Sequence, residues 1–168
     1  MHTAKRKGVL CFLTVLAITG AYKSAFAACT PVLGTGGPYV CTGIGLGNVF
    51  IPGVANDQLT LSGLPTTAQN VRGDNSNVFI TGGDDVITIG SGVYVSQSVQ
   101  GDHLGNLSAP VLTGGDDTIV IEGGATVGGL VQGDWIDDTS GRGGDDTIII
   151  QAGATVGGVE GDVLIGQN

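Results

Sequence analysis

Apolar and polar residues alternate along several short segments of this chain. Isoleucine, valine and leucine recur at every second position, and glycine-containing turns follow within a few residues. A two-residue period with β-branched side chains indicates a strand that has one buried face. No ten-residue run has helical spacing, and the frequent glycines disfavour a helix. The pattern predicts an all-β protein, with inward-facing rows that include Ile87 and Ile89, Ile119 and Ile121, Ile148 and Ile150, Val93 and Val95, Ala125 and Val127, and Ala154 and Val156.

The alternating segments belong to a repeat of about 30 residues. Segments 81–85 and 113–117 both read TGGDD, and 143–146 reads GGDD. Each unit ends in a Gly-Asp pair, and a degenerate first unit, with Asp57 and Gly73-Asp74, aligns at an offset of 28. From the second aspartate to the glycine of the pair there are 16 residues in three units and 15 in the last, whereas the link to the next glycine pair varies from 9 to 13. Constant blocks joined by variable links indicate strands of fixed length and tolerant loops.

Such units cannot bury an apolar face alone, so we expect them to stack. The prediction is a parallel β-helix, or solenoid, of about four repeat units, with equivalent isoleucines above one another at about 4.8 Å. Whether one unit forms one wide coil or more than one narrow coil stays open. A β-sandwich of hairpins is the competing fold, but it does not account for the repeated Gly-Asp corners.

The N-terminus has the features of a cleaved signal peptide, residues 1–27. Lys5, Arg6 and Lys7 precede an apolar run over 8–22, and small residues stand at 25 and 27, which favours cleavage before Ala28. The run of 15 residues is short of the roughly 20 that span a bilayer, so no integral span is expected after cleavage. Retention as an anchor and lipidation of Cys29 are the alternatives. The chain is expected to be exported to the periplasm, the cell surface or the medium.

Two cysteines remain after cleavage. Cys29 and Cys41 are twelve positions apart, and in an exported chain they predict a disulfide within an N-terminal cap, residues 28–56, ahead of the repeats at 57–168. The loop-entropy model assigns such a link roughly 3 kcal/mol. Two free thiols are the alternative, and with a single histidine left, His103, a zinc site is not expected.

The exported part is strongly acidic. All 15 Asp and Glu residues lie beyond position 56, and Arg72 and Arg142 are the only basic residues after position 27, so 2 minus 15 gives a net charge of −13. This field repels nucleic acid and anionic lipid and attracts cations. Frequent Ile, Val and Leu distinguish the chain from a disordered acidic tail.

The signal peptide, the Cys29–Cys41 segment and the Gly/Thr/Val-rich repeats containing GGDDTI and GATVGG resemble the passenger region of bacterial autotransporters. The resemblance implies a parallel β-helix displayed at the outer membrane surface with a structural or adhesive, non-catalytic role. In that family a C-terminal β-barrel translocator delivers the passenger. No barrel sequence follows here, so we expect a truncated or split passenger, or a short stand-alone relative.

The GGDD turns are also similar to the second half of hemolysin-type calcium-binding repeats, G-x-D-x-U, although the leading glycine pair and the nine-residue tandem are missing. The alternative function is therefore a calcium-dependent secreted module folded by Ca²⁺ at these turns. Capping of each turn by aspartates that accept backbone N–H bonds is the other interpretation. The candidate calcium ligands are Asp84, Asp85, Asp116, Asp117, Asp145 and Asp146.

Three further features point less clearly to function. The Arg72-Gly73-Asp74 tripeptide matches an integrin-binding sequence, but Gly-Asp recurs in every unit and is interpreted as a structural corner. Trp135 is expected to cover an apolar gap. His103 stands at the matching position one unit earlier, and because no Ser or Cys near it could form a catalytic pair, it does not indicate catalysis. Val163, Leu164 and Ile165 form an uncapped last edge, which predicts self-association or attachment to a host surface.

Overall fold

A computed structural model describes residues 28–30, 33, 37–51, 55–76, 81–105, 111–137 and 141–164 of the chain. The predicted signal peptide, residues 1–27, lies outside the described residues, and so does Ile165. The described ranges contain strands and turns but no α-helix, and none of their segments is a helix long and apolar enough to cross a membrane.

Fifteen short strands make up the described structure, and all but one of their pairings are parallel. In chain order they are β1 (Ala28–Thr30), β2 (Tyr39–Thr42), β3 (Val49–Ile51), β4 (Gln58–Leu61), β5 (Thr67–Ala68), β6 (Val71–Ser76), β7 (Val86–Ile89), β8 (Tyr94–Val95), β9 (Val99–Leu104), β10 (Thr118–Ile121), β11 (Thr126–Gln132), β12 (Trp135–Ile136), β13 (Thr147–Ile150), β14 (Thr155–Glu160) and β15 (Val163–Leu164).

The repeat units stack in parallel and in register. Strands β2, β4, β7, β10 and β13 form one continuous sheet, in which Leu59 pairs with Ile87, Ile87 with Ile119, and Ile119 with Ile148. The second sheet stacks the later strands of each unit in the same way, for example Val71 beside Val99. One unit therefore makes one coil, and the predicted parallel β-solenoid is confirmed, with about three turns. The β-sandwich alternative is wrong, because the coils pair through parallel strands rather than hairpins.

The interior of the solenoid is a stack of aliphatic rows. Ile87, Ile89, Ile119 and Ile121 are all 0% exposed, as the alternation predicts. Full burial of one such side chain stabilises the fold by about 1.5–3 kcal/mol. The last coil differs: Ile150 is 37% exposed, because no described coil covers it.

The first coil is closed by an antiparallel strand. Strand β1 pairs with β2, with Cys29 opposite Cys41, and the predicted disulfide between them is present. The next strand of this sheet, β4, pairs in parallel with β2, so the N-terminal cap stacks directly on the repeats. The disulfide thus links the antiparallel strand β1 covalently to β2, the first strand of the parallel stack.

Candidate metal centre

The two aspartates of each GGDD turn point to opposite sides of the chain. The first ones, Asp84, Asp116 and Asp145, are exposed and form an outer row. The N–H of Asp116 donates to Oδ1 of Asp84 at 3.0 Å, and the N–H of Asp145 donates to Oδ1 of Asp116 at 2.8 Å. These carboxylates therefore link successive turns at the surface.

The second aspartates form an inner row that runs parallel to the solenoid axis. Asp85 and Asp117 are 2% and 1% exposed, and Asp146 is half-buried. The N–H of Asp85 donates to Oδ1 of Asp117 at 2.7 Å, and the N–H of Asp117 donates to Oδ1 of Asp146 at 2.8 Å. Each Oδ1 is thus satisfied by the backbone of the preceding coil, and Oδ2 is left over.

The Gly-Asp corners provide a third row. Asp74, Asp102 and Asp134 are each 0% exposed. Oδ2 of Asp102 accepts the N–H of Gly115 at 2.9 Å, which joins the end of one coil to the next GGDD turn. The Gly-Asp pairs have the structural role that the sequence indicates, although Gly73-Asp74 and Gly101-Asp102 lie inside strands β6 and β9 rather than in turns. The aspartates do accept backbone N–H bonds, but from neighbouring turns and coils rather than from their own turn.

The inner row and the corner row meet in three carboxylate triads. In each triad one oxygen from every residue lies within 4.8 Å of the others. Asp57 takes the inner-row position in the degenerate first unit, where its N–H donates to Oδ1 of Asp85. Every triad then combines two inner-row residues from successive coils with the corner residue that lies between them in sequence, so each one connects two coils. The triads are Asp57, Asp74 and Asp85; Asp85, Asp102 and Asp117; and Asp117, Asp134 and Asp146.

Several oxygens of these triads are buried without a hydrogen-bond partner. They are Oδ2 of Asp85, Asp117 and Asp146 and Oδ1 of Asp74. Neither arginine among the described residues donates a hydrogen bond to any of them: Arg72 donates to Gln100 and Asn75, and Arg142 is exposed. Unpaired buried carboxylates cost several kcal/mol each, so they must bind protons or cations in the folded state.

The raised pKa values of the triad aspartates also indicate that their carboxylates need a proton or a cation beside them. The pKa of Asp85 is raised from 3.8 to about 8, first by burial and then by the charges of Asp74 and Asp102. Burial likewise raises the pKa of Asp102 to about 7, although the N–H of Gly115 counteracts part of the effect. Asp117 has its pKa raised by burial first and by the charge of Asp102 second. At neutral pH without a cation, part of the column would hold protons.

Glycine is required where the rows approach the backbone. A Cβ on Gly101 would overlap Oδ2 of Asp117, and a Cβ on Gly133 would overlap Oδ2 of Asp146. The glycines of the GGDD turns leave space in the same way, since a Cβ on Gly114 would overlap Oδ2 of Asp134. The Gly-Asp and GGDD sequences are thus two halves of one arrangement, in which glycine makes room for the facing carboxylate.

Metal-free protein is expected to lose stability as the pH rises. The carboxyl pKa values are raised in the folded state, to about 8 for Asp85 and about 7 for Asp102 and Asp134, against 3.8 for the ordinary group. Between the pKa of the unfolded chain and the higher pKa values of the folded chain, the folded chain therefore holds more protons than the unfolded chain. The stabilisation from these extra protons is lost as the pH rises through the folded-state pKa values. Melting temperatures in EDTA should fall steadily from about pH 5 to about pH 8. A melting temperature that rises over that window would contradict the burial of these carboxylates.

The six candidate ligands predicted from the sequence divide into two sets. Asp85, Asp117 and Asp146 belong to the triads, whereas Asp84, Asp116 and Asp145 lie in the outer row and in none of the triads. Metal binding by either set stays a prediction. The residues that sequence reasoning did not include are Asp57 and the corner aspartates Asp74, Asp102 and Asp134. The near-constant spacing of 15 or 16 residues from the inner aspartate to the corner glycine was the signal for them.

Comparisons with protein-family models, with curated proteins and with solved structures give no match to this chain. Its assignment as a β-solenoid therefore depends on the stacking, register and burial described above.

Proposed function

We propose that this protein is an exported, non-catalytic structural solenoid whose coils are held together by calcium ions in the aspartate triads. The observation that carries the proposal is the set of buried, unpartnered carboxylate oxygens of Asp74, Asp85, Asp117 and Asp146. They face one another across successive coils, where an ion would bind both coils at once.

The donor set favours calcium over other metals. The candidate ligands in the triads are all carboxylate oxygens, which suit hard cations rather than zinc or copper. Calcium accepts six to eight oxygens in flexible geometry, whereas magnesium requires an octahedron and retains several waters, which a buried column accommodates poorly. Three Ca²⁺ ions would carry six positive charges against the seven carboxylates of the triads, which nearly neutralises the column.

Two observations support a role outside the cytoplasm. The Cys29–Cys41 disulfide is typical of an oxidising compartment. The resemblance to autotransporter passengers supports display at the cell surface, where an extended repetitive stack serves as a structural or adhesive element.

The test is calorimetric titration of the exported chain with calcium, comparing Asp117→Asn with Asp116→Asn. Asp117 belongs to two triads, and its exposed neighbour Asp116 belongs to none, so the second variant is a matched control. We expect three ions for the wild type and for Asp116→Asn, and one for Asp117→Asn. Asparagine retains the Oδ1 that accepts the N–H of Asp85, so the backbone ladder is preserved.

Two results would overturn the proposal. One is no heat of calcium binding at any concentration up to about the millimolar range of extracellular calcium modules. The other is an equal loss of ions in both variants, since this would place the ions on the outer row or distribute them over the acidic surface.

A further inference from the structure

A groove lies on the outer face of the second sheet, away from the aspartate triads. Its volume is about 540 Å³, within the range of about 300–1,000 Å³ that small-molecule sites occupy. Its walls come from three successive coils and carry amides, hydroxyls, a guanidinium, an imidazole and an indole. The polar and aromatic side chains of this lining include Arg72, Gln97, Ser98, Gln100, His103 and Trp135.

The groove lining contains no acidic residue. This is unusual in a chain with 15 acidic residues, nearly all of which are described. The groove also contains Arg72, one of only two basic residues beyond position 27. Arg72 therefore places one positive charge in a groove whose described lining carries no carboxylate.

The charge of Arg72 is not paired with a carboxylate among the described residues. Its Nε donates to Oε1 of Gln100 at 2.8 Å, and its Nη1 donates to Oδ1 of Asn75 at 2.7 Å. These bonds use two of the five N–H groups of a guanidinium. Burial lowers the pKa of Arg72, which shows that its charge is partly removed from water. The other N–H groups of Arg72 make no hydrogen bond to a described residue and are available to an anionic group, which would compensate the partly desolvated charge.

A hydrogen-bonded chain fixes Arg72 in place. Gln100 Nε2 donates to Oε1 of Gln132 at 2.9 Å, and Gln132 Nε2 donates to Oε2 of Glu160 at 3.0 Å. The two glutamines are 3% and 2% exposed, so their amides are held in one orientation. The guanidinium is thus positioned before any ligand binds. The carboxylate at the end of this hydrogen-bonded series, that of Glu160, is separated from Arg72 by the two glutamine amides.

We propose that this groove binds a small hydroxylated monocarboxylate of the uronic-acid type, with its carboxylate on Arg72 and its hydroxyl groups against the amide and serine side chains. The guanidinium fork matches a carboxylate in two parallel hydrogen bonds. Oγ of Ser98 donates to Oδ1 of Asn70 and Oε1 of Gln97 accepts from Nδ2 of Asn70, which leaves the Nε2 donors of Gln97 and the acceptor lone pairs of Ser98 for hydroxyl groups. A single negative charge is favoured because the net charge of −13 on the chain repels a polyanion.

Trp135 reports on the groove directly. It is the only tryptophan of the chain, it lines the groove, and its ring stacks on that of His103 with centroids 6.1 Å apart. Burial lowers the pKa of His103 to about 4, so this imidazole is neutral at pH 7 and Arg72 is the one cation of the lining. Tryptophan fluorescence therefore follows ligand binding without a label.

The test is a fluorescence titration with methyl β-D-glucuronide, with methyl β-D-glucoside as the matched ligand that lacks the carboxylate. Arg72→Gln introduces the residue that Gln100 and Gln132 provide at the equivalent positions, so it is compatible with the stack. Arg142→Gln removes the exposed arginine outside the groove and serves as the matched protein control. Circular dichroism of each variant confirms the fold.

We expect the glucuronide to change Trp135 fluorescence, with binding at least about tenfold weaker for the glucoside and for Arg72→Gln. Arg142→Gln should bind as the wild type does. No response to the glucuronide up to about 20 mM, or equal binding of the two ligands, would overturn the proposal. Repeating the titration in EDTA at about pH 5, where the metal-free fold is expected to be most stable, separates this site from the calcium sites.

Discussion

Removal of calcium is expected to lower the melting temperature of the chain from residue 28 onward by about 15 °C or more near neutral pH. One site that is saturated a hundredfold above its dissociation constant stabilises a fold by about 2.7 kcal/mol, and three triads are available. In a domain of this size about 1 kcal/mol corresponds to about 2–4 °C or more. The measurement is thermal unfolding by circular dichroism in calcium and in EDTA.

The Asp117→Asn variant distinguishes calcium binding from a general effect of EDTA. It removes one carboxylate from two triads while keeping the acceptor for Asp85. In EDTA this variant should gain stability relative to the wild type as the pH rises, because burial raises the pKa of Asp117 and the wild type alone must lose the proton that this carboxyl holds in the folded state. In calcium it should be less stable than the wild type. Equal shifts for both proteins would show that calcium does not act through this column.

Replacement of Gly101 by alanine is expected to cost about 3 kcal/mol, which is the upper end for overpacking a tightly filled interior. The new Cβ would overlap Oδ2 of Asp117 and lie 2.7 Å from the carbonyl oxygen of Gly133. Neither atom can withdraw easily, because one belongs to the triad column and the other accepts the N–H of Gly101 itself.

Gly161 provides the control for this substitution. It occupies the same position of the Gly-Asp pair in the last unit, and a Cβ there would have no atom within 4 Å. Gly161→Ala should therefore change the free energy of unfolding by less than about 0.5 kcal/mol. Chemical denaturation of both variants measures the difference, and equal effects would mean that glycine serves backbone conformation rather than space for the carboxylates.

The strands and their burial could be predicted from the sequence because they depend on local patterns. The alternation at Ile87 and Ile89 indicates which face is buried, and the offset between units predicts that Ile119 lies beside them. The disulfide also followed from short spacing and an exported context. Each of these features needs only neighbours in the chain or a regular repeat.

The triads could not be predicted because they depend on how each coil closes. Asp102 meets Asp85 and Asp117 only because the end of one coil returns beside the next GGDD turn. The connecting loops vary from 9 to 13 residues, which conceals this closure in the sequence. The sequence likewise pairs the adjacent aspartates of one turn, whereas strand geometry sends Asp84 outward and Asp85 inward.

The integrin-type tripeptide shows that residues adjacent in sequence can belong to different sites in the fold. Arg72, Gly73 and Asp74 are adjacent in sequence, yet Asp74 is 0% exposed inside the first triad while Arg72 faces the groove. A receptor could not contact both side chains at once without opening the coil. The two charged residues therefore belong to different sites on opposite faces of one strand.

The most direct measurement is a crystal structure grown in calcium, with anomalous difference density collected at long wavelength. Spherical peaks between inner-row and corner aspartates, bonded to oxygens of two successive coils, are the result that this account requires. A column without peaks, in which the carboxyls contact one another through shared protons, would show that protons rather than metal ions neutralise the core. Peaks only beside the surface aspartates would assign the ions to the outer row instead.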